Sequence, residues 1–361
     1  MSSTTSGVPA PTTGPDAGAI WHYGDPLGEQ RAAAESAVVV DRSHRAVLSL
    51  TGTERKSWLH TLTTQHVSEL PDGAVTENLS LDGQGRVEDH WLQTQLDGLT
   101  ILDTEPWRGQ ELLTYLRRMV FWADVAVEPA DLAVLSLLGP QLAEAPFLDV
   151  LGISGLPAEG TAEALAEGGF VRRISGSGVE VDVVVPRSQA AAWKDRLAAA
   201  GVQRAGVWAY EARRVAERRP RLGVDTDERT IPHEVGWIGT AVHLDKGCYR
   251  GQETVARVHN LGKPPRMLVL LHLDGDGGRP APGDPLQAGG RTVGRLGTVV
   301  DHVDEGVIAL ALLKRGVPAD AALISGGEVK VAAVIDRDSM PLDTGVGAGR
   351  LAVERLRGGT S

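Results

Sequence analysis

The chain has 361 residues, with 42% hydrophobic and 23% charged side chains, 44 glycines, 20 prolines and a formal net charge of -11. That is ordinary globular usage with many turns, long enough for two or three domains around buried cores. The acidic balance argues against a general nucleic-acid binder, which needs a basic stripe over much of its surface; the single cysteine, Cys248, excludes an internal disulfide and cannot alone complete a zinc or iron–sulfur site.

Residues 1–18, rich in Ser, Thr, Pro and Gly and without a basic or apolar leader, read as a disordered tail. A reducing, cytoplasmic setting suits the lone thiol. Residues 38–40 and 47–50 read as strands, and Thr53 as the N-cap of a helix over 54–62 with Trp58, Leu59 and Leu62 on one face. Residues 77–89 carry a hairpin signature around Asp82-Gly83-Gln84-Gly85. After it come Glu88, Asp89 and His90, candidates for a base or a ring N–H acceptor, of which a strand turns alternate members to opposite faces. Residues 99–103 form a further expected strand, and 107–119 a helix with Leu112, Leu113, Leu116 and Met119 inward.

The pattern then repeats less regularly: a strand at 133–138, a short helix at 162–167, a strand at 179–185, and helices at 189–199 and 206–218, the last stopped by Pro220. The longest apolar run, 132–138, is far too short to span a bilayer. Five arginines fall between 213 and 221; such a run is either a solvated face or a clamp for carboxylates or phosphates. The acidic loop 225–234 lacks the spacing of a calcium loop, and the Gly-x-Gly matches at 83–85 and 176–178 lack the third glycine of a dinucleotide fingerprint. Short strands among Gly and Pro clusters from residue 265 onward indicate a separate all-β unit.

Chemistry concentrates in Lys246-Gly247-Cys248-Tyr249-Arg250-Gly251-Gln252-Glu253. An extended segment would put Lys246, Cys248 and Arg250 on one side, and cations beside a thiol favour its reactive thiolate form. A helix opening at Gln252 would add polarised N–H groups nearby.

This octapeptide resembles the Lys-Gly-Cys-Tyr-x-Gly-Gln-Glu signature of the YgfZ-type folate-binding proteins, relatives of the glycine-cleavage T-protein (aminomethyltransferase). Residues 219–225, 231–234 and 78–89 look like the same family. The resemblance implies an α+β fold of T-protein-like folate-binding modules around a central cavity, with a small C-terminal β-barrel. Its expected divisions are a tail over 1–18, modules over 19–130 and 131–264, the barrel over 265–345, and a loose tail over 346–361. It implies tetrahydrofolate or a related folate as ligand, and a role in iron–sulfur cluster assembly or maintenance for client enzymes, including tRNA-modifying ones. No membrane partner is expected. It assigns chemistry to Cys248 and Lys246, and ligand contacts to Asn78, Asp89, Arg214, Tyr249, Gln252, Glu253 and Arg257. The thiol is a one-carbon acceptor, a redox group, or one ligand of a cluster shared with another molecule.

Departures from the T-protein bear on activity. Its Asp-Asp pair corresponds to Asp89-His90 here, and the glutamate that grips the pterin corresponds to Ala216. Glu217, one position on, is about 100° further around a helix. The rival readings are a folate-dependent aminomethyl or methyl transferase and a folate-independent thiol redox protein.

Overall fold

The fold is described from a computed structural model covering residues 7–174, 176 and 179–341. The expected tail over 346–361 lies outside these residues.

One antiparallel sheet runs in the order Val75–Leu81, Val87–Leu96, Leu99–Thr104, Ala46–Thr51, Ala126–Pro129. Alternation sets its two faces. Leu48, Leu50, Trp91 and Leu102 pack beneath helices Arg55–Leu62 and Gly109–Arg118, which return Trp58, Leu59, Leu112, Leu113 and Leu116. The second sheet runs Thr161–Ala164, Phe170–Arg173, Glu180–Pro186, Leu132–Leu138, Val38–Asp41, Gln203–Ala205. It buries Ala133, Leu135 and Leu137 against Trp193, Leu197 and Phe147 of helices Ala190–Ala199 and Ala145–Leu151.

Six strands between Arg266 and Ile335 close into a barrel, which leaves no open sheet edge. Val269 and Leu271 fill its interior. The alternate residues Leu270, Ile308 and Leu310 face outward onto Ala212 and Val215 of helix Val207–Ala216. Each fully buried aliphatic chain in such a seam contributes about 1.5–3 kcal/mol, so the barrel is firmly docked rather than tethered.

Four expectations are corrected. Residues 7–18 are largely exposed but tied to the fold, not loose: Val8–Pro9 pairs with Ile20–His22, and buried Asp16 meets His44 and Arg221. The division at 130 does not separate two sheets, because Val38–Asp41 crosses into the second and pairs with Leu132–Leu138. Residues 161–164 form a strand, not a helix: Gly168 (φ +94°) and Gly169 (φ +84°) turn the chain so that Thr161–Ala164 pairs with Phe170–Arg173, and pairing outweighs the Ala/Glu helix preference. Thr53 caps no helix; its N–H and hydroxyl both donate to Asp124 Oδ2.

Candidate functional site

The inner faces of the two sheets touch through Val47, Ile101, Val134, Phe170 and Val184, then diverge. The gap is a recess of about 830 Å³ bounded by Val75, Glu77 and Leu92 of the first sheet, Ile174 at the end of a second-sheet strand, residues 216–220, and the 235–240 loop with Trp237. A narrower end of about 90 Å³ shares Glu77, Leu92, Ile174, Arg219 and Pro220, and adds His90, Tyr210 and many charged groups.

Strand register decides which hairpin residues reach this space. Glu77 opposes Leu92 and Leu79 opposes His90, whereas Asn78 opposes Trp91 and Ser80 opposes Asp89. Opposed residues share a face, so the first four look inward and the second four look toward the helices. Asp89, expected against the ring of a ligand in the cavity, is therefore turned away from it. It accepts from Ser80 Oγ (2.8 Å) and Arg108 Nε (2.8 Å) and borders an outer groove of about 800 Å³ with Arg86, Tyr115, Arg118 and Arg250. Asn78 is wholly buried, donating to Thr63 Oγ1 (3.0 Å) and Gln93 Oε1 (3.1 Å) and accepting from the Gln65 N–H (3.0 Å).

His90 takes the inward place. Its ring stacks on Trp237 with centroids 4.7 Å apart and planes 12° from parallel, and Nε2 lies 3.2 Å from Glu77 Oε1. Burial pushes the Glu77 carboxyl up, but the hydrogen bond and charge of His90 outweigh it, leaving Glu77 below the ordinary range. Ala216 also lines the recess, so no carboxylate stands at that position. Glu217 does line it, but pairs with Arg213 (3.1 Å) and Arg219 (2.9 Å).

The arginine run is neither a solvated face nor an open clamp. Arg214, expected at the ligand, is buried and fully engaged by Glu211, Asp225 (2.7 Å), Thr298 (2.6 Å) and the Arg219 carbonyl. Arg221 meets Glu105 and Asp16, and Arg219 meets Glu180 (2.8 Å). The set continues through Arg45 to Asp103 and Glu105, and through Arg172 to Asp103 and Asp182. Burial would raise these carboxyls; the guanidinium groups win, holding Asp103 and Glu211 at about 2. Arg218 is the exception. Exposed at the recess rim, it donates to the Asp338 carbonyl (3.0 Å), has no carboxylate partner among the described residues, and sits at φ +56°, a costly backbone region for a residue with a side chain.

The octapeptide is a loop leading into helix Gln252–Leu261, not an extended strand, and in it Lys246 is buried while Cys248 and Arg250 are exposed. Lys246 turns inward, where its ammonium donates to the carbonyls of His60, Thr63 and Gln65 at the end of the Arg55–Leu62 helix. Burial pulls it down to about 8. Arg250 faces outward and pairs with Glu88 (2.9 Å). Tyr249 is buried among Leu79, Trp237 and Val255, bracing the wall of the recess, and burial pushes its phenol to about 12. Gln252 Nε2 donates to the Lys246 carbonyl (3.2 Å), closing the loop. Cys248 is exposed and lines no part of the recess, and Glu253 and Arg257 are likewise exposed on the helix.

The loop is fixed from the other side by close backbone approach. A Cβ on Gly251 (φ +83°) would stand 2.7 Å from the Asp82 carbonyl oxygen, and one on Gly85 (φ +78°) 2.8 Å from Thr254, so the hairpin turn and helix start admit only glycine at the contact. Trp237, Glu77 and Arg218 thus line the recess and His90 its narrower end; the sequence offered His90 as a candidate base or acceptor and Arg218 as one of the arginine run, but neither Trp237 nor Glu77.

Residues 266–337 match the family described as CAF17, C-terminal beta-barrel domain. The chain is 25% identical over 278 residues to a chloroplastic protein of Arabidopsis thaliana provisionally named a transferase, covering 72% of this chain but only 61% of that one. It is 28% identical over 263 residues to an aminomethyltransferase of Stenotrophomonas maltophilia, covering 69% of this chain and 71% of that enzyme. Its structure superposes on the glycine cleavage system aminomethyltransferase T of Bartonella henselae with a TM-score of 0.79 at 18% identity, over 91% of this chain and 93% of that one. The chain therefore has the aminomethyltransferase fold. No helix among the described residues is long and apolar enough to cross a membrane.

Proposed function

We propose that this chain is a tetrahydrofolate-binding protein that supports iron–sulfur cluster assembly or maintenance in cytoplasmic client enzymes, tRNA-modifying ones among them, with Cys248 as its reactive group. The observation that carries the folate half is the recess. Its volume of about 830 Å³ suits a ligand of folate size, since small-molecule sites run to about 300–1,000 Å³. Trp237 lines it and stacks flat on His90 at its narrower end, and Arg218 at its rim has no carboxylate partner among the described residues. In this reading the pterin lies along the stack and the glutamate tail reaches Arg218.

The iron–sulfur half is supported by the octapeptide's likeness to YgfZ-type proteins and by the presentation of the thiol. Cys248 stands in solvent on a loop pinned at both ends, where another protein can meet it. Among the described residues no group of three or more His, Cys, Asp or Glu is placed to hold a metal ion, so a cluster on Cys248 would take its other ligands from elsewhere.

Calorimetry with tetrahydrofolate tests the first half: binding is expected, and its absence overturns the folate reading. Complementation of a strain lacking its own YgfZ-type protein tests the second, with iron–sulfur enzyme activities as readout. Wild type should restore them and Cys248→Ala should not. Failure of the wild type refutes the accessory role, and full restoration by Cys248→Ala refutes the role of the thiol.

The names of the relatives favour a second reading, aminomethyl transfer. Ala216 and His90 stand where that enzyme type has carboxylates, which weighs against it. Tetrahydrofolate-dependent turnover of an aminomethyl substrate that survives Cys248→Ala would establish it.

A further inference from the structure

We infer that the outer groove beside Asp89 is the docking surface for a client protein, which presents an acidic segment with an apolar side chain and so reaches Cys248; this deepens the accessory reading above and rests on it. The groove, of about 800 Å³, is bounded by the hairpin turn, helix Gly109–Arg118 and Arg250, and four arginines line it: Arg86, Arg108, Arg118 and Arg250. Two of them are neutralised from within. Arg108 pairs with Asp89 and Glu111, and Arg250 with Glu88. Arg86 and Arg118 are exposed, and their guanidinium groups have no partner among the described residues.

Two aromatic side chains stand beside these free cations. Phe121 is 74% exposed and Trp122 98%, two and three residues past Met119, which lines the groove. Their loop is not loose. Trp58 Nε1 donates to the Met119 carbonyl (3.0 Å), the Asp124 N–H donates to Glu54 Oε2 (2.6 Å), and Val120, Ala123 and Val125 pack onto the core of the first sheet. An anchored loop thus holds two adjacent aromatic rings in water, an exposure that burial against a partner relieves. Trp and Arg are also the side chains that most often carry the binding energy of protein interfaces.

The carboxylates of the groove favour a protein over a nucleic acid. Asp82, Glu88, Asp89 and Glu228 line it as well, in a chain of net charge -11, so a phosphate backbone would meet repulsion along its length. A short segment bearing two carboxylates can pair with Arg86 and Arg118 alone and lay an apolar side chain on Trp122. Arg250 lies two residues from Cys248, so their Cα atoms are at most about 7 Å apart, and a partner seated in the groove is brought beside the exposed sulfur. Asp89 marks the groove as lying on the sheet face opposite the recess, so docking and ligand binding use different sides of one sheet.

The test is complementation of a strain lacking its own YgfZ-type protein, with iron–sulfur enzyme activities as readout. Wild type is compared with Arg86→Glu/Arg118→Glu, with Arg86→Gln/Arg118→Gln, with Phe121→Ser/Trp122→Ser, and with Ile324→Ser, an exposed apolar position on the barrel. All should melt and bind tetrahydrofolate like wild type, because the changes are exposed and lie away from the recess. The Glu pair and the Ser pair should each cut the restored activity about tenfold or more. The Gln pair should lose less than the Glu pair, since it removes attraction without adding repulsion, and Ile324→Ser should restore fully. Arg118→Glu and Trp122→Ala alone replace any pair that melts early. Full restoration by either the Glu pair or the Ser pair overturns the inference and leaves the accessory role standing. Loss of tetrahydrofolate binding in these variants also overturns it, by placing their effect in the ligand site. So does a gel shift of bulk tRNA that the Glu pair abolishes, or a dimer in light scattering that the Ser pair abolishes, which would assign the groove to RNA or to a second copy. Failure of the wild type to restore activity overturns both this inference and the accessory reading.

Discussion

Replacing Arg172 with methionine tests whether the charges between the sheets hold the molecule together rather than hold a ligand. Arg172 is 0% exposed; it donates to Asp182 through Nε (3.0 Å) and a terminal nitrogen (2.7 Å), and also reaches Asp103 and Thr94. Methionine fills much of the space but removes every donor. Among the described residues Asp182 keeps Ser136 Oγ (2.6 Å), and Asp103 keeps Arg45. A hydrogen bond to a charged group contributes about 1.5–3 kcal/mol, and two carboxylates each lose such a donor. The expected loss is about 3–5 kcal/mol, the usual cost of stranding one member of a buried pair. Urea unfolding measures it as a lowered midpoint at unchanged slope. Adding Asp182→Asn should return part of the loss, since it removes the stranded charge, and the double-mutant cycle reports that coupling. A drop below about 1 kcal/mol, or strict additivity of the two changes, would show that the network is not structural.

Acid should act through the same network. Burial pushes the Asp103 carboxyl up, but Arg45 and Arg172 outweigh it, giving about 2 against an ordinary 3.8. The unfolded chain thus takes up the proton first, so Asp103 contributes full stability above about pH 4 and loses it as pH falls toward 2. Melting temperature should fall steeply across that window, and Asp103→Asn should flatten the limb. Lys246→Met strips one shared donor from three carbonyls and should cost about 1–3 kcal/mol in thermal or urea unfolding. Gly251→Ala drives a Cβ into the Asp82 carbonyl at positive φ and should cost more than about 1 kcal/mol, with weakened complementation. Cys248→Ser, at an exposed side chain, should leave unfolding within about 0.5 kcal/mol of wild type.

Periodicity reached the elements whose faces differ. In helix Gly109–Arg118, Leu112, Leu113 and Leu116 stand out from charged neighbours, and the closed barrel follows from short strands parted by Gly and Pro. The hairpin's parity was less legible. Leu79, Leu81 and Leu92 lie on one face, joined across a bulge by Val87, and Trp91 lies on the other. Both faces are buried, so hydrophobicity did not say which of Asp89 and His90 looks inward. The arginines were misread for a different reason: their partners Asp16, Glu105, Glu180 and Asp225 are brought in by tertiary folding, and most are far away in the chain. Lys246 and Cys248 are neighbours in sequence, but one faces protein carbonyls and the other solvent. A motif conveys that its residues matter together; it does not convey that they touch.

The anchoring of the octapeptide also sets an order of events. Lys246 reaches back 186 residues to the His60 carbonyl, and Gly251 settles on the turn at Gly85. Such long-range contacts form late, after slow loop closure, and a chain folding as it is synthesised completes its N-terminal parts first. The hairpin and the Arg55–Leu62 helix must therefore wait, their carbonyls solvated, for a segment made much later. Until it arrives Cys248 has no defined place, so only a molecule that has finished folding holds the thiol in this pose. A client that recognises the posed loop, rather than the sulfur alone, would distinguish the mature protein from its own precursors.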